Sequence, residues 1–205
     1  MIIGIVGGVG CGKSTVLTYL KEKYNAENMD FSNILCTVPN REETRKISAV
    51  YSEENVKGEL VKLRILFACY IQLNGENGYK DSVAYIPVEK LETLNNITHP
   101  GTIKEITDRI NNSSNQLVIV ESAILIGSGI DKMCDEIWYV YCDLEKRIKR
   151  LMDSRGYSEE KTRNVIMNQM SEEEFNRVSD EFIDNSNSEE ETHEQIDFIL
   201  SSQFC

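Results

Sequence analysis

The chain has 205 residues, 27% of them charged and 40% hydrophobic, with a formal net charge of -12. Such a length suits one sizeable core, and the acidic balance disfavours a general nucleic-acid binder. The sequence contains no run of about 18 apolar residues, so it predicts no membrane span. Six cysteines without a CxxC pair, beside only two histidines, argue against zinc and favour free thiols. The first predicted strand begins at residue 2, which leaves no room for a signal peptide, so we expect a cytoplasmic protein.

The N-terminal segment combines a strand, a glycine-rich loop and a helix. Residues 2–6 (IIGIV) form an almost wholly apolar run, as in a strand buried on both faces. Residues 7–14 (GGVGCGKS) fit the pattern G-x-x-x-x-G-K-[ST], and residues 14–23 predict the helix. A glycine-rich turn between a strand and a helix can serve packing alone. Because both flanking elements that the motif requires are present, we favour phosphate binding.

The chemistry of this loop predicts the donor half of a phosphoryl-transfer site. Glycines let backbone N–H groups point inward at a phosphate, and the following helix directs its positive dipole end at the same anion. Lys13 adds a positive charge for the outer phosphates, and the Ser14 hydroxyl is a ligand for Mg²⁺. Cys11 either has some thiolate character or simply replaces another small residue, the interpretation we prefer. The predicted nucleotide-binding residues are Gly8, Val9, Gly10, Cys11, Gly12, Lys13, Ser14 and Thr15.

Between this segment and residue 113 the pattern is mostly helical. A short second strand within residues 24–31 ends near Asp30. Apolar residues at helical spacing then predict several helices. Residues 83–87 are compatible with a small strand or an extended loop. The predicted helices span residues 40–50, 58–73, 87–97 and 101–111, with a turn at 74–79.

The remaining chain alternates apolar strands with helices, which predicts a parallel sheet covered on both faces, a three-layer α/β fold. Predicted strands span residues 117–120, 136–142 and 181–184. Predicted helices span residues 144–155, 158–170 and 196–200, with a polar turn at 186–191.

Ligands of such sheets bind at the carboxyl ends of the strands. This rule predicts that the loop, Asp30 and Glu121 lie around one crevice. Carboxylates at strand ends are candidates for acceptor activation or metal support, because their burial without a partner is costly. Arg150 and Arg155 are candidates for offsetting charge on the transferred phosphoryl group. His99, before Pro100, either contacts an acceptor phosphate or hydrogen-bonds within its own loop.

These motifs resemble the dephospho-CoA kinases, P-loop kinases related to the nucleoside monophosphate kinases. The opening MIIGIVGGVGCGKSTV is similar to the family's N-terminus, and residues 94–100 (LNNITHP) match its L-x-x-I-x-H-P segment. The likeness runs nearly end to end. Further matching positions are Cys134 and Asp135 before a strand, Arg150, Arg155, Gln169, Arg177, and Asp180 with Asn185 in SDEFIDN.

The resemblance implies ATP-dependent phosphorylation of the ribose 3′-hydroxyl of dephospho-CoA, the last step of coenzyme A synthesis. It also implies a nucleotide core (residues 1–34 and 113–205), a helical acceptor lobe (35–112) and a lid (150–175). Roles carried over residue by residue are phosphate and Mg²⁺ contacts for Lys13 and Ser14, lid charges for Arg150 and Arg155, and an acceptor-lobe contact for His99.

The acceptor side departs from the family pattern. The family's D-x-D is here Asp30-Phe31-Ser32, which leaves Asp30 as the predicted base. Where the family has an aspartate followed by a proline, this chain has Glu121-Ser122-Ala123. Two alternatives therefore stand beside the leading hypothesis: a kinase for another nucleoside-like small molecule, and a nucleotide-binding protein without catalysis. The sequence does not predict the oligomeric state or the donor's base preference.

Overall fold

The computed structural model describes residues 1–30, 60–62, 85–87, 99–100, 103–122 and 125–201. The chain divides into two compact units. One is formed by Met1–Asn28 together with Ser114–Cys205, and the other by Met29–Ser113. None of the helices in these described ranges is long and apolar enough to cross a membrane.

The main sheet has five strands in the order β2-β5-β1-β6-β7. Strand β1 pairs in parallel with both β5 and β6, and β6 pairs in parallel with β7. The predicted parallel sheet is therefore confirmed. The strands of the described residues are β1 (Ile2–Val6), β2 (Glu27–Asp30), β3 (Leu60–Lys62), β4 (Tyr85–Pro87), β5 (Val118–Glu121), β6 (Glu136–Tyr141) and β7 (Glu181–Asp184).

The central strands are apolar along their length because both of their faces are covered. In β1, Ile3 and Ile5 are fully buried, and the middle of β5 and of β6 is equally inaccessible. A parallel strand between two helical layers has no solvent face, so it cannot alternate apolar and polar residues. This is why unbroken apolar runs locate these strands in the sequence.

Helices flank the sheet, and their ends follow local capping chemistry. Gly156, with φ +62°, ends α3, and the Ser158 hydroxyl accepts from the Lys161 N–H to begin α4. Among the described residues, the helices are α1 (Lys13–Tyr24), α2 (residues 103–112), α3 (Leu144–Arg155), α4 (Glu159–Met167), α5 (Glu172–Val178) and α6 (Glu189–Ser201), and residues 99–100 are also helical.

Both faces of the sheet carry helices. On one face, α1 and α6 pack against Ile3, Ile5 and Trp138 in a single buried cluster. On the other, the ring of Tyr139 stacks on Phe175 of α5, with centroids 4.9 Å apart. Successive residues of a strand point to opposite faces, so Trp138 and Tyr139 belong to different layers. The predicted three-layer arrangement is confirmed.

In the second unit, β3 and β4 form an antiparallel pair in which Val61 lies opposite Ile86. The predicted helix over 58–73 is wrong at residues 60–62, and the helix predicted to begin at Pro87 is wrong at that residue. Backbone pairing with a distant strand overrides local helical spacing here. Of the small strand and the extended loop with which residues 83–87 are compatible, the structure has the strand, at Tyr85–Pro87. The other predicted elements of residues 31–98 lie outside the described residues, and residues 103–111 are helical as predicted.

Two helices of the first unit differ from their predictions. Helix α5 is missed, although Ser171 and Glu174 form a capping box at its start. Helix α6 begins at Glu189, inside the predicted polar turn. The Ser188 hydroxyl accepts from the Glu191 N–H, and three glutamates occupy the first turn, where they favour the helix dipole. A polar helix start is easily read as a turn, because both use serine and acidic residues.

Candidate active site

The predicted binding loop connects the carboxyl end of β1 to α1. Gly10 (φ +80°) and Gly12 (φ +88°) adopt left-handed backbone conformations that other residues adopt only with strain. Within the described part of the chain, the N–H groups of Gly10, Gly12 and Ser14 have no backbone acceptor. Together with the N-terminus of a 12-residue helix, these donors form a site suited to an anion.

Lys13 lies at the opening of this loop and meets Glu121, the carboxylate that ends β5. Its Nζ lies 3.1 Å from the Gly7 carbonyl oxygen, 3.4 Å from that of Gly8 and 3.7 Å from Glu121 Oε1. The Lys13 side chain is 18% exposed. Parallel pairing sets Ile5 opposite Glu121, so the loop and the carboxylate leave the sheet at the same edge. The loop and Glu121, predicted to lie around one crevice, are thus in contact through Lys13.

Ser14 and Thr15 occupy the first turn of α1. Ser14 is exposed, and its hydroxyl makes no hydrogen bond with the described residues. Thr15 is half-buried, and its N–H donates to the Gly12 carbonyl. The Ser14 oxygen is a hard ligand open to solvent, which fits Mg²⁺, an ion that takes few protein ligands and keeps several waters. Among the described residues there is no cluster of three His, Cys, Asp or Glu side chains able to hold a metal.

Asn185 forms hydrogen bonds with the backbone of the loop. Its Nδ2 donates to the Cys11 carbonyl at 2.8 Å, and its Oδ1 accepts from the Thr192 hydroxyl at 2.9 Å. A methyl group on Gly12 would lie 1.9 Å from Asn185 Nδ2. Asn185 is 3% exposed, so Gly12 is required here for close approach as well as for its φ angle.

Arg150, predicted as a charge that closes over the phosphates, contacts the back of the loop. Its guanidinium donates to the carbonyls of Cys11 (3.4 Å) and Asn185 (3.1 Å) and to Cys142 Sγ (3.3 Å). Arg155 is the last residue of α3 and is exposed; it makes no hydrogen bond or ion pair with the described residues. Arg150 is therefore held beside the loop, whereas Arg155 is an exposed charge at the end of the same helix.

The two predicted acceptor-side residues of the second unit are Asp30 and His99. Asp30 is the last residue of β2, and its side chain lies outside the described residues. His99 is helical and partly buried, and this burial lowers the pKa of His99 below its ordinary value. A neutral imidazole at physiological pH can both donate and accept a hydrogen bond.

Sequence reasoning missed the role of Arg147. This side chain is 7% exposed and donates to the Val9 carbonyl and to Gln169. A detectable signal exists, because Arg147 shares the inward face of α3 with Ile148 and Leu151. A charged residue at a buried helical position indicates a specific polar partner.

Cys11 is buried, which supports the preferred interpretation of a small loop residue over that of a thiolate. Burial raises the pKa of the Cys11 thiol, and the nearby charges of Lys13 and Arg147 offset this only in part. The thiolate is the reactive form, so at about pH 7.5 we expect iodoacetamide to leave Cys11 unmodified in the native protein. Labelling should increase only as the pH rises above the ordinary thiol value of 9.0.

Mass spectrometry of the peptide that contains Cys11 measures this. The same reagent after unfolding in concentrated guanidinium provides the positive control. Fast labelling of the native protein at neutral pH would contradict the raised pKa.

The parallel sheet, with a glycine-rich loop between β1 and α1 and Lys13 at its opening, defines a P-loop kinase fold. A profile of the dephospho-CoA kinases matches residues 81–191 of this chain. The dephospho-CoA kinase of Carboxydothermus hydrogenoformans is 31% identical, over 97% of this chain and 92% of that protein. The chain belongs to the dephospho-CoA kinase family.

Solved structures share the fold. A Thermus thermophilus protein, TT1252, superposes with a TM-score of 0.75 at 23% identity, covering 100% of this chain and 98% of that one. A dephospho-CoA kinase from Campylobacter jejuni matches with a TM-score of 0.57 at 19% identity, covering 98% of this chain and 96% of that one. At these identities the likeness concerns the fold, and the family assignment depends on the sequence matches.

Proposed function

We propose that this protein is an ATP-dependent kinase that phosphorylates the ribose 3′-hydroxyl of dephospho-CoA. The observation that carries the donor half is Lys13 Nζ, held by two loop carbonyls and Glu121 at the opening of a loop with inward N–H donors. Family membership supports the acceptor. A small phosphorylated substrate also suits an acidic protein whose positive charge is local.

In the proposed reaction, the loop N–H groups hold the donor's phosphates and Lys13 offsets their charge. Ser14 is the residue that would hold Mg²⁺, which when bound neutralises charge on the phosphate oxygens. Arg150 and Arg155 compensate the charge that develops during transfer.

Asp30 is the proposed base. Its carboxylate takes the proton of the 3′-hydroxyl as the acceptor oxygen bonds to the γ-phosphorus. The bond between that phosphorus and the β–γ bridging oxygen breaks, and ADP leaves. His99 and Glu121 are proposed contacts on the acceptor side. We also propose a cytoplasmic location, supported by the free thiols of Cys11, Cys134 and Cys142.

A coupled assay of ADP release with ATP, Mg²⁺ and dephospho-CoA tests the activity. We expect turnover in the ordinary enzyme range, about 1 to 10³ per second. Phosphorus NMR should identify the product as the 3′-phosphate. Adenosine, other nucleosides and the nucleotide AMP serve as comparison acceptors.

The alternatives give different results in the same experiment. Release of ADP with another nucleoside but not with dephospho-CoA would replace the proposed acceptor. Calorimetric binding of ATP with no turnover on any acceptor would identify a nucleotide-binding protein without catalysis.

A further inference from the structure

Three hydrogen bonds join the backbone of Val9, in the binding loop, to the side chains of Arg147 and Gln169 in a closed ring. The Val9 N–H donates to Gln169 Oε1 at 2.9 Å, and Arg147 Nε donates to the Val9 carbonyl at 3.1 Å. Arg147 Nη2 donates to the same Gln169 oxygen at 3.1 Å. The backbone N–H and carbonyl of Val9 are thus both hydrogen-bonded to side chains, and these two side chains are hydrogen-bonded to each other.

The ring is built tightly into the loop. A methyl group on Gly8 would lie 2.1 Å from Arg147 Nη2, so the guanidinium fills the space that a side chain at Gly8 would need. Gly8 and Gly10 flank the clamped residue, and Gly10 has a φ of +80°. Fixing Val9 between two conformationally permissive glycines removes freedom that the loop would otherwise lose when it binds a ligand.

Arg147 also differs from an ordinary ion-paired arginine. It is 7% exposed, and none of the ion pairs in the described part of the chain includes it. Its hydrogen-bond acceptors among the described residues are a backbone carbonyl and a neutral amide, which do not neutralise its charge. Burying a cation without a countercharge is costly, so this arrangement suits a loop that receives an anion.

We propose that Arg147 and Gln169 form a clamp that positions the binding loop for the phosphates of the nucleotide. Neither residue is assigned a contact with substrate; both are positioning residues that act through Val9. The inference rests on the proposed function, because it takes the ligand of the loop to be ATP. It assigns the clamp to nucleotide affinity and not to recognition of the acceptor.

Calorimetric titration with ATP and Mg²⁺, without acceptor, tests the clamp in four variants. Arg147→Met and Gln169→Leu each remove one side of the ring, and we expect affinity to fall about ten- to a hundredfold. Arg147→Lys keeps the charge but cannot span Val9 and Gln169, and we expect a comparable loss. Gln169→Glu keeps an acceptor for both donors but gives Arg147 a countercharge, and we expect affinity to fall about tenfold because the loop then offers less positive charge to the phosphates.

Lys149→Met is the matched control. Lys149 is exposed on the same helix and makes no hydrogen bond or ion pair with the described residues, so its replacement tests loss of charge alone. We expect its affinity to stay within about twofold, since exposed charges contribute little. In steady-state assays the clamp variants should raise KM for ATP and leave KM for dephospho-CoA unchanged, which a general loss of folded protein would not do.

The outcomes separate the clamp from the proposed reaction. If Arg147→Met and Gln169→Leu bind ATP with native affinity, the clamp is overturned. If Arg147→Lys binds ATP with native affinity, Arg147 contributes its charge alone and the positioning role is overturned. Weakened binding in all four variants supports the clamp. Failure of the native protein to use dephospho-CoA while it still binds ATP overturns the acceptor and not the clamp, because the titration contains no acceptor.

Discussion

Lys13→Ala is expected to lower kcat/KM for phosphoryl transfer by about 10³-fold, the effect of removing one preorganised charge from a transition state. The ammonium group is held at the opening of the loop by the Gly7 and Gly8 carbonyls and by Glu121. Alanine leaves these oxygens in place and removes only the cation. The steady-state rate of ADP release with dephospho-CoA measures the loss.

The fold should survive this change. Lys13 begins α1 and is partly exposed, and an ion pair at such a position contributes about 0 to 1 kcal/mol. Lys21→Ala, an exposed change in the last turn of the same helix, is the matched control and should retain native activity. Activity of Lys13→Ala within tenfold of native, with the control unaffected, would remove Lys13 from the proposed mechanism.

Gly12→Ala is expected to weaken ATP binding by more than about a hundredfold and to lower the free energy of unfolding by about 3 kcal/mol. Two costs combine. A left-handed conformation costs a non-glycine residue about 1–2 kcal/mol. The added methyl group also displaces the buried amide of Asn185, 1.9 Å away, and with it the hydrogen bond to the Cys11 carbonyl.

Gly127→Ala separates these two costs. Gly127 has a φ of +82°, close to the +88° of Gly12, but a methyl group there would meet nothing within 4 Å. This control should show the backbone cost alone and should bind ATP normally. Urea unfolding and calorimetric titration measure both variants. Equal destabilisation in the two would mean that the contact with Asn185 contributes nothing.

Much of the first unit follows from local sequence patterns. Strands β1, β5 and β6 are predicted to within a few residues, because burial on both faces leaves unbroken apolar runs. The bounds of β7, α1 and α3 are also predicted to within a few residues. The acidic start of α6 is the counterexample, since serine and glutamate occur equally in turns and at helix N-termini.

Tertiary pairing decides what local pattern cannot. Residues 60–62 lie within an apolar spacing typical of a helix, yet they pair as a strand with residues 85–87. Arg147 meets Val9 across 138 residues of sequence, and Asn185 meets Cys11 across 174. Such contacts depend on which strand lies beside which, information that no window of the sequence contains.

By itself the sequence determined where the loop between β1 and α1 lies and predicted it as the donor side, because its eight predicted residues are contiguous and their chemistry is local. The tertiary structure decided how that loop is held. Parallel strands end at one edge of the sheet, so Glu121 reaches Lys13, and the helix after β6 packs beneath the loop, so Arg147 and Arg150 reach its backbone. The physical reason is that phosphate binding needs short-range backbone geometry, whereas its rigidity comes from side chains that only folding brings together.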